Sequence, residues 1–193
     1  MTFKETIHKE SADTIYIIVS PTARTDTNYP LRGYAGPSGR IDEIARSMLS
    51  IARSKSLLVA VLLGPPNPPA TIVYRYREGC RFSSEREALQ YIRKSVQGKS
   101  VCIDRYAIGV RDVVSIISKA GFETILLAED GEDISGLPRV KPRAYLLGAQ
   151  IDIPEHIIND IRNYIDAKAS IGPLSYQTSQ VIAYLEWEAE ACN

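Results

Sequence analysis

The stretch AYLLGAQIDIPEHIINDIRNYIDAKASIGPLS, residues 144–175, decides the predicted fold of this chain. It contains two glycine-bearing turns about one helix apart. An apolar run stops at Gly148 in the first turn and at Gly172 in the second, where Ser175 is placed to cap the helix that follows. Because parallel strands end at the same edge of a sheet, we expect the two turns to form one apolar, backbone-lined cleft of the kind that holds a nucleoside cofactor. A purely structural role is the alternative, since strands of many α/β domains end in glycine.

Outward from this stretch, apolar runs alternate with segments of helical spacing. Residues 14–19 and 57–63 are continuous apolar runs typical of buried parallel strands, whereas the apolar residues of 41–52 recur at helical spacing. The alternation predicts an α/β fold, with a mainly parallel sheet and helices on both faces, in a single domain over residues 1–193. Residues 1–13 are a candidate for disorder. Residues 71–82 are predicted to form an arginine-rich hairpin that could stack on RNA, and an ordinary amphipathic hairpin is the alternative.

Composition narrows the functional class. The 193 residues are 24% charged and 45% apolar, which is ordinary for one globular core, and no run is long enough to span a bilayer. We therefore expect a soluble cytoplasmic protein. Cys80, Cys102 and Cys192 are odd in number and lack metal-binding spacing, so we expect no zinc site and interpret them as buried or incidental thiols.

The charges are unevenly distributed although the net charge is zero. Residues 1–111 hold 17 Lys and Arg against 10 Asp and Glu, whereas residues 112–193 hold 6 against 13. A basic amino-terminal portion can attract phosphates locally, which is compatible with RNA binding. A merely solvated surface is the alternative.

Six segments together carry a family resemblance: SPTARTD (20–26), SGRID (38–42), VLLGPPNPP (61–69), EDGEDI (129–134), LLGAQI (146–151) and SIGPLS (170–175). In this order and spacing they resemble the archaeal tRNA pseudouridine-54 N1-methyltransferases of the SPOUT (α/β-knot) superfamily, over roughly residues 14–188. The resemblance implies a carboxyl-terminal trefoil knot, S-adenosyl-L-methionine as cofactor, tRNA as partner, a homodimer, and neither a metal nor a membrane. It also implies a cofactor pocket lined by Leu127, Gly148, Ile171, Gly172, Pro173, Leu174, Ser175, Tyr176 and Val181. For Leu127 and Val181, plain core positions are the alternative.

The catalytic candidates are Arg24, Asp26 and Arg40. Arg24 offers a planar fork that can grip a phosphate or a base carbonyl, and Asp26 could accept a proton or orient the target nitrogen. An internal salt bridge that shapes the loop is the alternative. Arg40 and Asp42 repeat the same pairing at the start of a predicted helix, where Asp42 also suits the helix dipole. The carboxylates of residues 129–133 are expected to form a solvated turn, with a magnesium site as the alternative.

One departure from the family pattern leaves the substrate open. Where family members read His-Ala-Asp-His-Cys after the last glycine turn, this chain has Gln177, Thr178, Ser179, Gln180 and Val181. A ribosomal RNA methyltransferase of the same fold and a catalytically silent RNA-binding relative therefore stay as alternatives. A small-molecule α/β enzyme is disfavoured, because the chain has no GxGxxG fingerprint and no Walker sequence.

Overall fold

A computed structural model describes residues 1–53 and 55–191, which form one seven-stranded sheet covered by helices. The strands are β1 (Thr14–Ser20), β2 (Ser56–Leu62), β3 (Ala70–Arg75), β4 (Ile103–Tyr106), β5 (Glu123–Asp133), β6 (Arg143–Gly148) and β7 (Ala167–Ser170). The helices are α1 (Phe3–Lys9), α2 (Ile41–Ser50), α3 (Glu85–Val96), α4 (Val110–Lys119), α5 (Glu155–Ile161) and α6 (Thr178–Ala191).

The strand order is β4-β3-β2-β1-β6-β5-β7. The pairs β1–β2, β1–β6, β5–β6 and β5–β7 are parallel, whereas β3 is antiparallel to both β2 and β4. The predicted mainly parallel α/β sheet is therefore confirmed. Because parallel strands present their carboxyl ends at the same edge, β5, β6 and β7 deliver their following segments to one place.

The sheet is buried on both faces. All seven residues of β1 are buried, with Tyr16 and Ile18 in one apolar cluster and Ile15, Ile17 and Val19 in the other. The first cluster contains buried residues of α2, α3 and α6, and the second contains those of α1 and α4. Strands covered on both faces read as continuous apolar runs, which is why the sequence identified β1 and β2.

The amino terminus corrects one expectation. Residues 1–13, the candidate for disorder, contain α1, which begins with a capping box between Thr2 and Glu5. Phe3 and Ile7 are buried, and the hydroxyls of Thr6 and Tyr106 lie 2.6 Å apart. The helix has only seven residues and most of them are polar, so its sequence shows no clear apolar period. Phe3 and Ile7 nevertheless pack it against the sheet.

The predicted hairpin over residues 71–82 is wrong. β3 pairs with β2 and β4, and residues 80–82 belong to no strand. Tyr74 is buried and donates its hydroxyl to the carbonyl of Cys80 at 2.7 Å, so it cannot stack on RNA. After the turn at Gly79 the chain leads into α3 instead of returning along β3.

Cys80 and Cys102 are buried, but a disulfide joins them, which corrects their interpretation as thiols. Their Cα atoms lie 5.4 Å apart, at the two ends of the segment that contains α3. The pairing depends on β3 and β4 being neighbours, and spacing alone does not reveal that. Cys192 lies outside the described residues.

Candidate cofactor cleft

The carboxyl ends of β6 and β7, with the middle of β5, enclose one open cleft. Eight of the nine predicted cofactor-contacting residues line it: Leu127, Gly148, Ile171, Gly172, Leu174, Ser175, Tyr176 and Val181. Pro173 is not among the lining residues, although both of its neighbours are. The structure therefore brings the two glycine turns side by side, as expected from parallel strand ends.

Hydrogen bonds hold the turns in position. The Oγ1 atom of Thr178, at the start of α6, lies 2.7 Å from the carbonyl oxygens of both Gly148 and Ala149, so its hydroxyl can donate to either. In the second turn, Ser170 Oγ accepts from the Gly172 amide at 3.2 Å and donates to the Gly172 carbonyl at 2.7 Å. A cleft fixed by these bonds loses little conformational entropy when a ligand binds.

Gly148 is required by its own turn. A Cβ atom at this position would lie 2.3 Å from the carbonyl oxygen of Ile151. At Gly172, by contrast, the nearest atom would be the hydroxyl oxygen of Tyr176 at 3.3 Å, on a side chain that also lines the cleft. The two glycines of the sequence pattern therefore serve different local requirements.

The chemistry of the lining suits a nucleoside that carries a positive charge. Ile151, Leu174 and Tyr176 line the cleft and are 50%, 64% and 42% exposed, which is unusual for large apolar side chains at a concave site. They offer apolar surface for a planar ring. Glu129 and Asp152, which the sequence analysis missed, also line the cleft and supply carboxylates for ribose hydroxyls or a cationic group. The available signal was sequence position, since Asp152 comes four residues after Gly148 and Glu129 opens the acidic segment 129–133.

A second cavity adjoins the cleft, and Arg40 lines this second cavity. Ala149, Gln150, Ser175 and Tyr176 line both spaces, and the second is completed by Arg40, Glu43 and Gln177. Arg40 donates to Asp42 through Nε at 3.0 Å and through Nη2 at 2.9 Å, and to Glu43 at 2.8 Å. The hydrogen bond with Asp42 is the main cause of the raised pKa of Arg40. The guanidinium is thus a fixed positive charge beside the cleft.

The other two catalytic candidates bind each other. Arg24 donates to Asp26 through Nε at 2.8 Å and through Nη2 at 2.7 Å, and neither residue lines the cleft. The hydrogen bond from Arg24 is the main cause of the lowered pKa of Asp26, so this carboxylate is ionised at neutral pH. The structure therefore shows the internal salt bridge that the sequence analysis held as the alternative, and it brings only Arg40 next to the cleft.

The acidic segment 129–133 is an extension of β5 and not a separate turn. β5 continues to Asp133, with an irregularity between Leu127 and Glu132 in its pairing with β7, and Lys168 binds Asp130 at 2.5 Å. Among residues 1–53 and 55–191, no group of three His, Cys, Asp or Glu side chains is placed to hold a metal ion. No helix in the same ranges is both long and apolar enough to cross a membrane.

Comparison with known proteins agrees with this geometry. A protein from Aeropyrum pernix named tRNA (pseudouridine(54)-N(1))-methyltransferase is 34% identical over 172 residues, covering 86% of this chain and 89% of its own length. A protein of the same name from Pyrococcus abyssi is 31% identical over 197 residues, covering 89% of this chain and 94% of its own length.

The fold comparison and the family model point the same way. The crystal structure of Archaeoglobus fulgidus Nep1 bound to S-adenosylhomocysteine superposes with a TM-score of 0.64 over 93% of this chain and 99% of that chain. At 14% identity this likeness concerns the fold alone. Residues 14–189 match the family model described as "Putative SAM-dependent RNA methyltransferase". The chain therefore belongs to this family of S-adenosylmethionine-dependent RNA methyltransferases.

Proposed function

We propose that this enzyme methylates the N1 nitrogen of pseudouridine at position 54, in the T-loop of tRNA. The name shared by the relatives from A. pernix and P. abyssi supports this substrate. The observation that carries the proposal is that two cavities share part of their lining: the cleft formed by the glycine turns and the adjoining cavity lined by Arg40. Such an arrangement suits a donor in the first space and an acceptor base in the second.

The residues of the chain have separable tasks in this proposal. When bound, S-adenosylmethionine supplies the methyl group on a positively charged sulfur. The apolar side chains Leu174 and Tyr176 would cover its ring, and the carboxylates of Glu129 and Asp152 would bind its hydroxyl or cationic groups. Arg40 would contact a carbonyl next to the target nitrogen and stabilise the negative charge on the base as the nitrogen loses its proton to solvent water and forms its bond to the methyl group, which leaves the sulfur.

Arg24 and Asp26 are candidates for contact with the acceptor base, although they do not line the cleft. Their mutual salt bridge shapes the loop after β1. We propose that they act on the acceptor base only in the assembled complex with RNA or with a second protomer. We also propose that the enzyme is a homodimer with a knotted carboxyl terminus, located in the cytoplasm where tRNA occurs.

The test is methyl transfer from labelled S-adenosylmethionine to purified tRNA and ribosomal RNA. We expect label in tRNA at position 54, and mass spectrometry of tRNA from a strain lacking the gene should show unmethylated pseudouridine there. Label in ribosomal RNA alone would favour the alternative of a ribosomal RNA methyltransferase with the same fold. Binding of RNA without binding of the labelled cofactor at micromolar concentration would favour the catalytically silent alternative.

A further inference from the structure

Three arginines and one tyrosine gather around the loop that follows β1, at the β3–β4 edge of the sheet. Arg105 of β4 donates to the carbonyl of Thr25 at 2.6 Å, and Arg93 of α3 donates to the carbonyl of Thr27 at 3.2 Å. The guanidinium carbon of Arg93 lies 5.6 Å from the ring centroid of Tyr29. We refer to Arg24, Arg93, Arg105 and Tyr29 as the arginine cluster.

The cluster carries an uncompensated positive charge. Asp26 is paired with Arg24, whereas Arg93 and Arg105 have no carboxylate partner in the described part of the chain. Burial lowers the pKa of Arg105, so its charge is held at a cost in this environment. The guanidinium nevertheless stays protonated, because arginine does not lose its proton in proteins. An anion is the ligand that would compensate this charge.

Two donors of the cluster are also unsatisfied. Within the described residues, Nη1 of Arg105 and the hydroxyl of Tyr29 are buried and have no hydrogen-bond partner. Tyr29 is 5% exposed, and burial raises its pKa to about 12, so the hydroxyl is a donor at neutral pH. Unpaired buried donors are rare in folded proteins and costly, and they indicate a missing acceptor.

We propose that the arginine cluster binds a backbone phosphate of the substrate RNA, an inference that rests on the proposed function. A phosphate supplies both the negative charge and several acceptor oxygens, and arginine is suited to bind it in two places. The three arginines are partly exposed, so RNA can approach them from solvent, and contact with the two buried donors requires that neighbouring side chains move. Such a contact positions the RNA without reading its sequence.

The experiment measures tRNA affinity against salt concentration for the full chain. Arg93→Gln and Arg105→Gln should each weaken binding roughly tenfold and reduce the slope of log affinity against log salt by about 0.7 to 0.9, the loss of one phosphate contact. Arg111→Gln is the matched control. Arg111 lies on α4 and forms an exposed ion pair with Asp160 of α5, so this variant removes the same charge away from the cluster and should leave the slope unchanged.

Tyr29→Phe separates a ligand contact from a structural role. The hydroxyl has no hydrogen-bond partner among residues 1–53 and 55–191, so its removal should leave the melting temperature unchanged or raise it while tRNA affinity falls. A lowered melting temperature with unchanged tRNA affinity would mean that the hydroxyl is structural, and would overturn the proposal at this residue. Cofactor affinity, measured by calorimetry, should not change in any of these variants.

The possible failures are distinguishable. If the wild-type protein neither binds nor methylates tRNA, the proposed function fails. If it does both, and Arg93→Gln, Arg105→Gln and Tyr29→Phe keep the wild-type affinity and slope, only the phosphate site is overturned. Altered oligomeric state with unchanged RNA binding would also overturn it, since a carboxylate of another protein chain would then be the ligand. If Arg105→Gln does not fold, the other two variants decide.

Discussion

Whether a glycine of this chain can be replaced depends on the atoms that surround the position of the missing Cβ. The space that a Cβ would need at Gly148 is occupied by the backbone of the same turn, whereas at Gly36 nothing lies within 4 Å. A close backbone contact cannot be relieved by rotating a side chain. The glycine pattern therefore predicts the position of the turn, and only the structure identifies what requires the glycine.

We predict that Gly148→Ala lowers the free energy of unfolding by about 1–3 kcal/mol, since the added methyl group overpacks the turn. Cofactor affinity should fall with it, because the turn forms a wall of the cleft. Chemical denaturation and calorimetry measure the two quantities, with Gly36→Ala as the control. Wild-type stability of Gly148→Ala would contradict the close contact with Ile151.

A second residue-scale prediction concerns Asp26. We expect Asp26→Ala to abolish methyl transfer and to leave cofactor affinity unchanged, because the pair with Arg24 is proposed to act on the acceptor base and the carboxylate lies outside the cleft. Measurement of turnover and of calorimetric affinity checks both parts. Normal turnover would remove the pair with Arg24 from the mechanism.

The pKa of Asp26 fixes the pH range of its contribution to stability. The folded pKa lies below the unfolded value, so the stabilisation is fully present above about pH 4. It is lost as the pH falls from there through the folded pKa. The contribution is small because the pair is partly exposed.

At the scale of elements, α6 is held in place by one buried carboxylate. Glu186 accepts hydrogen bonds from the hydroxyls of Tyr16 at 2.9 Å and Ser56 at 2.5 Å, and from the amides of Ala52 at 2.8 Å and Arg53 at 2.9 Å. These donors belong to β1, to β2 and to the segment that follows α2. The start of the same helix contributes to the cleft, so the anchor and the cleft share one rigid element.

We expect Glu186→Ala to lower the free energy of unfolding by about 3–5 kcal/mol, since it leaves several buried donors unpaired. Glu186→Gln should be milder because it keeps one acceptor oxygen. Glu190→Ala, an exposed position on the same helix, is the control. Equal stability of the alanine variants at the two positions would contradict the anchor.

The disulfide is the second device at this scale. Replacing both Cys80 and Cys102 with serine should lower the free energy of unfolding by about 3 kcal/mol, through the entropy of the 22-residue loop that the bond closes. Methyl transfer at moderate temperature should persist, because the bond lies outside the cleft. Denaturation with and without reductant measures the effect, and a reductant that leaves wild-type stability unchanged would contradict it.

The apolar pattern predicted the elements within residues 14–19, 41–52 and 57–63 correctly because period and burial are local properties. β1, β2 and α2 carry such patterns, and the Gly148 and Gly172 turns were placed by their strand ends. Contacts between distant residues were not predictable in this way. The hydrogen bonds of Glu186 join residues more than 100 positions apart. The disulfide between Cys80 and Cys102 can form only where β3 and β4 are neighbours in the sheet.

At the scale of the whole molecule, exposed aromatic side chains on α6 offer a surface for a second copy. Trp187 is 63% exposed, and its ring centroid lies 6.1 Å from that of Tyr184. Large aromatic residues in contact with each other are typical of interface centres. This surface supports the proposed homodimer.

We predict that Trp187→Glu converts a dimer to a monomer, because it places a charge at the centre of the proposed interface. Val101→Glu adds the same charge at an exposed apolar residue next to β4 and serves as the control. Sedimentation measures both. A wild-type monomer, or a variant that stays dimeric, would contradict the role of this surface.

The strand order has a consequence for how such an enzyme can diverge. The proposed donor cleft lies at the β6–β5–β7 side, whereas the antiparallel strands β3 and β4 form the opposite margin. We expect mutations that accumulate at the far margin to leave the chemistry of the donor intact, because β2 and β1 intervene. Enzymes of this fold could thus acquire a new nucleic-acid target through substitutions at the β3–β4 margin, while the methyl-transfer site at the β6–β5–β7 side is inherited unchanged.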